Sequence, residues 1–506
     1  YSNTFNNNIA SVSGGVGYFG NAILLESNKS LFHNNSCLVG NGGVFNAGMH
    51  VIMHLHNSSI NENKAYEGDG GFSHSLSNIS MTIKNNTIFT SNMAGANGGC
   101  MSYDDNVNIA IDNTILRHNI AKSSGGCIYM LHKNHIEVKA SFLTSNVATT
   151  GNGGCINIGN ESNVMLYENT VMHNYAKVDG GVIYVGITSL IQHVINVKAT
   201  NNSADTGNGG AFYGSFKTIQ TSIFSSNTAG ISGGLLYCDT LTQSEVKISK
   251  LHAYDNYAIH GNGGIIYIHQ TLISGNSFVV ESVVLKNNTA GIHGGIMYIN
   301  DNNIDIRISN SSMVSNKALL GDGGCISSRS YINMNMTYND ITSNTAGNNG
   351  GCMSFDDNIE INIINNIIKN NTASISGGVI YANHSSRMPN LIDSQVLYNT
   401  ALNGNCGAFC TSLSIIRKCN IEYNVAHKNG GFAYSLKSFH AMIDILDTRM
   451  ISNNAIHGSG GGIWIHNVSL SNGLLLNVMS SIFNDNTAGI HGGIMYINDN
   501  NIDIRI

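Results

Sequence analysis

A single proline and a single tryptophan stand in 506 residues, and only 11% of the residues are charged. So little proline excludes collagen and proline-rich linkers. A formal net charge of −6 spread over so few charges lacks the basic footprint of a nucleic-acid binder or a polybasic membrane anchor, so neither partner is expected. No run reaches the roughly 18 apolar residues that cross a bilayer, and Tyr1 opens the chain without Met, a basic segment or an apolar leader. The cysteines show neither CxxC pairing nor a His-containing zinc spacing, so no metal and no cofactor are expected from them.

What is present points elsewhere. Hydrophobic residues make up 42% of the chain, enough for a core, and Gly (57) and Asn (75) dominate the rest. A repeat explains both. Asn-x-Ala recurs from Asn8/Ala10 to Asn486/Ala488, passing through Asn227, Asn256, Asn288, Asn316, Asn344 and Asn371; of eighteen copies one departs, with Cys37 two residues after Asn35. A Gly-Gly pair follows 7 or 8 residues after each Asn, as at Gly15, Gly99, Gly295 and Gly351, and one pair is broken as Cys406-Gly407. The mean period is about 28 residues, which identifies a solenoid.

The segments between turn signals are short and β-prone, as in Gly264 to Ile268, and in Asn303 to Ile308 and Asn358 to Ile363 the Ile residues alternate with charged or amide residues. Each period therefore holds two or three short strands, one coil of an all-β parallel β-helix solenoid of about 18 coils. Residues 1–506 read as one continuous β-helix, cut in mid-coil at both ends from a longer repeat protein or fibre, and about 85 Å long at 4.8 Å per coil. The segment from Asn288 to Ile308 recurs identically from Asn486 to Ile506, 198 residues on. A seven-coil unit, 181–378 and, in part, 378–506, is thus recently duplicated or kept identical by gene conversion.

The motif has a physical reading. Stacked Asn side chains form an amide ladder, and Asn tolerates the left-handed backbone of a turn. Ala fits where the coil narrows, and the Gly pair permits positive φ. After the pair, the second and fourth residues are usually apolar, as Ile128/Met130, Ile183/Val185 and Met297/Ile299, and are expected to face inward. The third is Tyr in ten coils, five of them consecutive: Tyr184, Tyr213, Tyr237, Tyr267 and Tyr298. This column is expected to face outward as an aromatic ladder, which either stabilises the sheet or offers a stripe to sugars and partners; the first role weighs more.

The F-x-x-N tetrapeptide at Phe5–Asn8, Phe32–Asn35, Phe89–Asn92, Phe224–Asn227 and Phe483–Asn486, paired with Gly-Gly-hydrophobic elements such as Gly209-Gly210-Ala211, resembles the polymorphic membrane protein adhesins of chlamydiae. The resemblance spans the chain as a repeat consensus. It implies a right-handed parallel β-helix on an extracellular surface.

Candidate catalytic residues are Asp104-Asp105, Asp356-Asp357, His293 and His491, all of which come in copies with the same surroundings. A catalytic centre is normally single, so no catalytic residue is assigned, and a pectin-lyase-like carbohydrate enzyme is the alternative. Asp301, Asn303 and Asp305, repeated at Asp499, Asn501 and Asp503, alternate like a Ca²⁺ cluster but lack the Gly and distal Glu of a calcium loop, so a solvated face is preferred. Gly-Asp-Gly-Gly at Gly68 and Gly321 reads as a turn. Cys100, Cys127 and Cys155, and again Cys325 and Cys352, stack as packed thiols, while Cys406, Cys410 and Cys419 are the place for a bridge.

Thirteen N-x-S/T sequons match the roughly twelve that composition alone supplies. Asn34, Asn201, Asn287 and Asn370 each precede a ladder Asn, point outward on this reading and are candidate glycosylation sites. The whole describes a non-catalytic extracellular structural or adhesive protein, a rigid fibre or surface stalk. Its expected partners are its own chain end to end, glycans or cell-surface ligands.

Overall fold

Short apolar strands punctuated every few residues by Asn, Gly and Ser can satisfy their backbone groups only by pairing with the same strand of the next repeat. The computed structural model shows this pairing. It describes residues 2–271, 275–300, 304–329, 331–356, 359–382, 386–435, 442–466, 474–498 and 502–506. The chain is all-β, with no helix among the described residues, and strands pair in parallel with their counterparts one turn on, about 28 residues away. The fold is a parallel β-solenoid.

Two compact units are distinguished, Tyr1–Gln243 with Asn256–Ile259, and Ser244–Asp255 with His260–Ile506. Each contains nine coils, counted by the three-residue strand that opens the motif: Thr4–Asn6 to Ile223–Ser225 in the first, His252–Tyr254 to Ile482–Asn484 in the second. A coil runs through this strand, a two-residue strand ending in the motif Ala, the Gly pair, and then two further strands. The middle residue of the three-residue strand points inward, as Phe89, Leu116 and Leu143 do in the first unit and Ile341 and Ile368 in the second.

In three early coils of the first unit the last two strands merge into Phe45–His56, Ser73–Lys84 and Met101–Asp112, each bent at a left-handed residue, His50, Asn78 or Asn106. Later coils split there, as at Ile128–His132 and His135–Lys139. The core is the coil interior. In the second unit Ile308, Met336 and Ile363 stack in register, all buried. The apolar pairs after the Gly pair are buried as the alternation requires, including Ile128/Met130, Ile183/Val185 and Met297/Ile299. The residue directly after the pair is buried too, as Phe72, Cys127, Val182 and Val379 show.

Two roles assigned from sequence need correction. The ladder Asn does not adopt the left-handed backbone; the residue before it does, as at Asn201 (φ 54°), Ser226 (φ 54°), Asn287 (φ 55°) and Asn370 (φ 56°). The reason is geometric, since the corner must turn before the amide can point inward. The two glycines of a pair also differ. Gly350 takes the positive φ of 64° and faces its own coil, where a Cβ would lie 2.0 Å from the Met353 carbonyl oxygen, whereas a Cβ on Gly351 would lie 2.1 Å from the carbonyl oxygen of Gly378 in the next coil. The second glycine is therefore required by close approach of backbones. In the broken pair Cys406 holds the left-handed position, with φ 64°.

Candidate functional site

Every polar residue that turns inward at a corner must find its partners inside the stack, and the ladder Asn does so with its neighbours on both sides. In the first unit Nδ2 of Asn227 donates to Oδ1 of Asn256 at 2.9 Å, and the backbone N–H of Asn227 donates to the same oxygen at 3.1 Å. In the second unit Asn288, Asn316, Asn344 and Asn371 repeat the arrangement at 3.0–3.1 Å between side chains. Each Nδ2 also reaches one coil back, as from Asn344 to the carbonyl of Met313 at 2.9 Å. One amide thus ties three coils together. All of these Asn residues are fully buried, so the hydrogen bonds are compulsory rather than optional.

A second polar column stands beside the Gly pairs. In most coils the residue before the pair accepts, through its side chain, the N–H of its counterpart one coil on. Examples are Asn41 from Asp69 (2.9 Å), Asp69 from Asn97 (2.7 Å) and Asp179 from Asn208 (2.7 Å) in the first unit, and Asp322 from Asn349 (2.8 Å) in the second. Gly-Asp-Gly-Gly at residues 68 and 321 therefore contributes a rung through Asp69 and Asp322. The column was hidden in the sequence because Asn, Asp, Ser and His all fill it; their shared feature is a short side chain with an acceptor atom.

His293 belongs to this column. Its Nδ1 lies 3.0 Å from the backbone N–H of Asp322 and 3.3 Å from Oδ2 of the same residue. A neutral imidazole accepts the N–H there, and a protonated one donates to the carboxylate instead. Burial would raise the Asp322 carboxyl, but His293 and the Asn349 N–H outweigh it and hold the group below its ordinary range. Asp179 has no histidine beside it, and burial dominates over the Asn208 contacts, so its carboxyl is raised.

The aromatic column stacks within each unit. Tyr184, Tyr213 and Tyr237 follow one another at centroid distances of 4.8 and 5.1 Å, with interplanar angles of 19° and 15°. Tyr267 and Tyr298 stack at 5.3 Å in the second unit. Rings packed face to face occupy each other's faces, which leaves their edges to solvent. Tyr298 keeps its place in the column against Tyr267, yet it is only 2% exposed, with the His293 ring stacked 5.9 Å from it. Its phenol is pushed up to about 12, chiefly by burial.

The remaining candidates fall in separate places. Asp104 is partly buried, and burial raises its carboxyl beside His74; His74 is 7% exposed and held by Asn46 at 3.1 Å and Asn41 at 3.3 Å. Asp105 lines an open polar groove with Asn106, His132, Lys133 and Glu161. His491 stacks on Tyr496 at 5.8 Å. Asp305 lies in the strand Ile304–Ser309 and Asp503 contacts Arg505 at 3.5 Å; Asp301, Asn303, Asp357, Asp499 and Asn501 lie outside the described residues. Among the described residues no group of three or more His, Cys, Asp or Glu is placed to share a metal ion.

Cys127 Sγ lies 3.2 Å from Cys100 Sγ as a free thiol contact, and burial raises Cys100, Cys127, Cys155 and Cys325 so that all stay protonated. Cys406 and Cys410 form a disulfide, while Cys419 is free and buried. Asn34, Asn201, Asn287 and Asn370 are all exposed at left-handed corners. No known family profile matches the chain, and no curated protein resembles it significantly.

Proposed function

We propose that this protein is a non-catalytic structural or adhesive repeat protein of the cell surface or extracellular space. The observation that carries the reading is the amide ladder. Within each unit it passes from coil to coil without a break, and it makes every coil a mechanical equivalent of the next. Some of the side chains that first suggest chemistry, His293, Asp69 and Asp322 among them, serve as rungs. Function then resides in stiffness, repetition and the outward columns.

Two further observations support the location. The Cys406–Cys410 disulfide suits an oxidising compartment, since such bonds are rare where glutathione keeps thiols reduced. The F-x-x-N and Gly-Gly-hydrophobic repeat adds the resemblance to surface adhesins of the chlamydial polymorphic type. Self-association, or binding to surface glycans, supplies the partners.

Electron microscopy of the native material tests the proposal. Filaments or surface projections with an axial repeat near 4.8 Å are expected. A carbohydrate enzyme is the rival, and the groove around Asp105, His132 and Glu161 is where it would work. Glycan turnover by the purified protein, abolished in Asp105→Asn, would overturn the structural reading.

A further inference from the structure

Outside the aromatic column, Tyr338, Tyr398 and Tyr423 of the second unit stand at left-handed corners, and the last two share one corner column. Tyr398 and Tyr423 hold the left-handed position before ladder residues Asn399 and Asn424, with φ of 55° and 56°. Bulky residues rarely adopt this backbone, and other coils of the unit place Ser315, Ser343, Asn370, Ser452 and Asp485 there. The two side chains are 52% and 41% exposed, so burial does not explain them. Their rings lie parallel, 4.8 Å between centroids and 3° between planes. The left-handed angle belongs to this corner in every coil, so what needs a reason is the residue type, an exposed aromatic pair where the unit otherwise places Ser, Asn or Asp.

The neighbour of this stack in the preceding coil supplies one. Asn370 occupies the same corner column, and its N–H donates to the carbonyl of Leu397 at 3.1 Å, which places it beside Tyr398. Asn370 is exposed and begins the sequon Asn370-Asn371-Thr372. Tyr423, one coil on, covers one face of the Tyr398 ring, and Asn370 stands one coil back in the same corner column, on the opposite side. The other three candidate sequons have Glu62, Ser226 and Ser315 in the corresponding position of the following coil, so Asn370 alone among them has a phenol ring as its neighbour.

We propose that Asn370 is an N-glycosylation site whose first sugar ring lies on the open face of Tyr398, with Tyr423 backing the platform. A pyranose presents a face of C–H bonds that packs on an aromatic ring at nearly the separation already seen between the two tyrosines. The coil spacing that stacks Tyr398 on Tyr423 thus seats a sugar one step further along. In the transfer, Nδ2 of Asn370 loses one proton and bonds to the anomeric carbon of a lipid-diphosphate-linked oligosaccharide. The bond from that carbon to the diphosphate breaks, and the lipid diphosphate leaves. The inference rests on the extracellular reading, because the donor is met only on the secretory route.

The test is secretion of the full chain from a eukaryotic host, followed by peptide-N-glycosidase in ¹⁸O water and mass spectrometry, which marks each formerly glycosylated Asn. Occupancy of Asn370 is expected. Glycans at Asn34, Asn201 or Asn287 with Asn370 bare, or secretion with no glycan, overturns the site and leaves the extracellular reading standing. Retention inside the cell with Cys406 and Cys410 reduced overturns both.

The platform has its own readout. Tyr398→Ser, which installs a residue this column already carries at Ser343 and Ser452, should speed enzymatic release of the Asn370 glycan from the folded protein by about threefold or more, whereas Tyr423→Ser should change it less. Equal rates in wild type and Tyr398→Ser sink the stacking. Asn370→Gln provides an independent check, since loss of the glycan should increase nitration of Tyr398; unchanged nitration argues against contact.

Discussion

Asn344 and Asn371 meet through one oxygen: Oδ1 of Asn371 accepts both the backbone N–H and the side-chain Nδ2 of Asn344, each at 3.0 Å. Oδ1 of Asn344 serves Asn316 in the same way, at 2.9 and 3.1 Å. Asn344→Ala strands the Asn316 donors and the Met313 carbonyl in a buried site, so a loss of about 2–4 kcal/mol is expected from urea unfolding of the full chain. Asn344→Asp keeps the shape but turns a carboxylate toward the Met313 carbonyl. Its deficit should be larger at pH 7 than at pH 4, where a protonated carboxyl can donate again; a pH-independent deficit would count against this reading.

The two glycines of a pair should not respond alike. Gly350→Ala places a side chain at a left-handed corner and a Cβ 2.0 Å from the Met353 carbonyl oxygen of its own coil. Cys406 occupies the equivalent corner, so the coil can give there, and the cost should exceed the backbone angle's own penalty of about 1–2 kcal/mol while staying below that of the second glycine. Gly351→Ala drives a Cβ to 2.1 Å from the Gly378 carbonyl oxygen and 2.6 Å from the Thr372 backbone. Soluble yield should fall sharply for this second variant, with a stability loss above about 4 kcal/mol. Equal yields and urea midpoints for the pair would contradict the close-approach role.

Asp179 and Asp322 occupy equivalent rungs in different units and should respond oppositely to removal of charge. The Asp322 carboxyl is held below its ordinary value. Its ionised form therefore stabilises the fold above the unfolded-state pKa, about 3.9, and the contribution is lost as pH falls through the lower folded value. Asp322→Asn should lower the urea midpoint at pH 7, with a gap that closes in acid. Asp179 is raised by burial, so its ionisation opposes folding above the raised value and the penalty disappears as pH falls toward the unfolded pKa. Asp179→Asn, which restores the amide common in this column, should raise the midpoint at pH 7.

The cysteines give a counting experiment. Eight are free and buried, so denatured protein without reductant should take up eight alkyl groups, and ten after reduction. Cys406→Gly together with Cys410→Tyr restores the residues found at Gly209 and Tyr213 one superrepeat earlier, and this double variant should fold. Ten labels without reductant would show that the Cys406–Cys410 bond does not form.

The period, the strand alternation and the ladder Asn were legible in the sequence because each rests on one residue type at one spacing. The corner residue before the ladder was not. Asn34, Glu62, Ser91, His118 and Tyr398 share a backbone angle there, and their side chains carry no common signal. The column of Asn41, Asp69, Asn97 and Asp179 was missed for a related reason: its members share an acceptor atom, and a residue-by-residue consensus dissolves them. Burial of Tyr298 depends on the ring of His293, a contact between columns that a repeat pattern treats as independent. The amide placed on Asn227 and its successors was correctly seen as a stacking group, yet its left-handed corner belonged to the residue before it.

The shared orientation of the amide rungs has a consequence for how such a chain changes over generations. Each coil receives two hydrogen bonds on an oxygen from one side and returns the same pair to the other, so a coil moved elsewhere within a unit meets the partners it left. Recombination between misaligned copies can then lengthen or shorten the protein by whole turns with its interior chemistry intact. The identical segments at Asn288–Ile308 and Asn486–Ile506 have the form that such exchange, or gene conversion between copies, leaves behind. Selection is free to rewrite the outward columns, coil by coil, while the amide at the centre stays fixed.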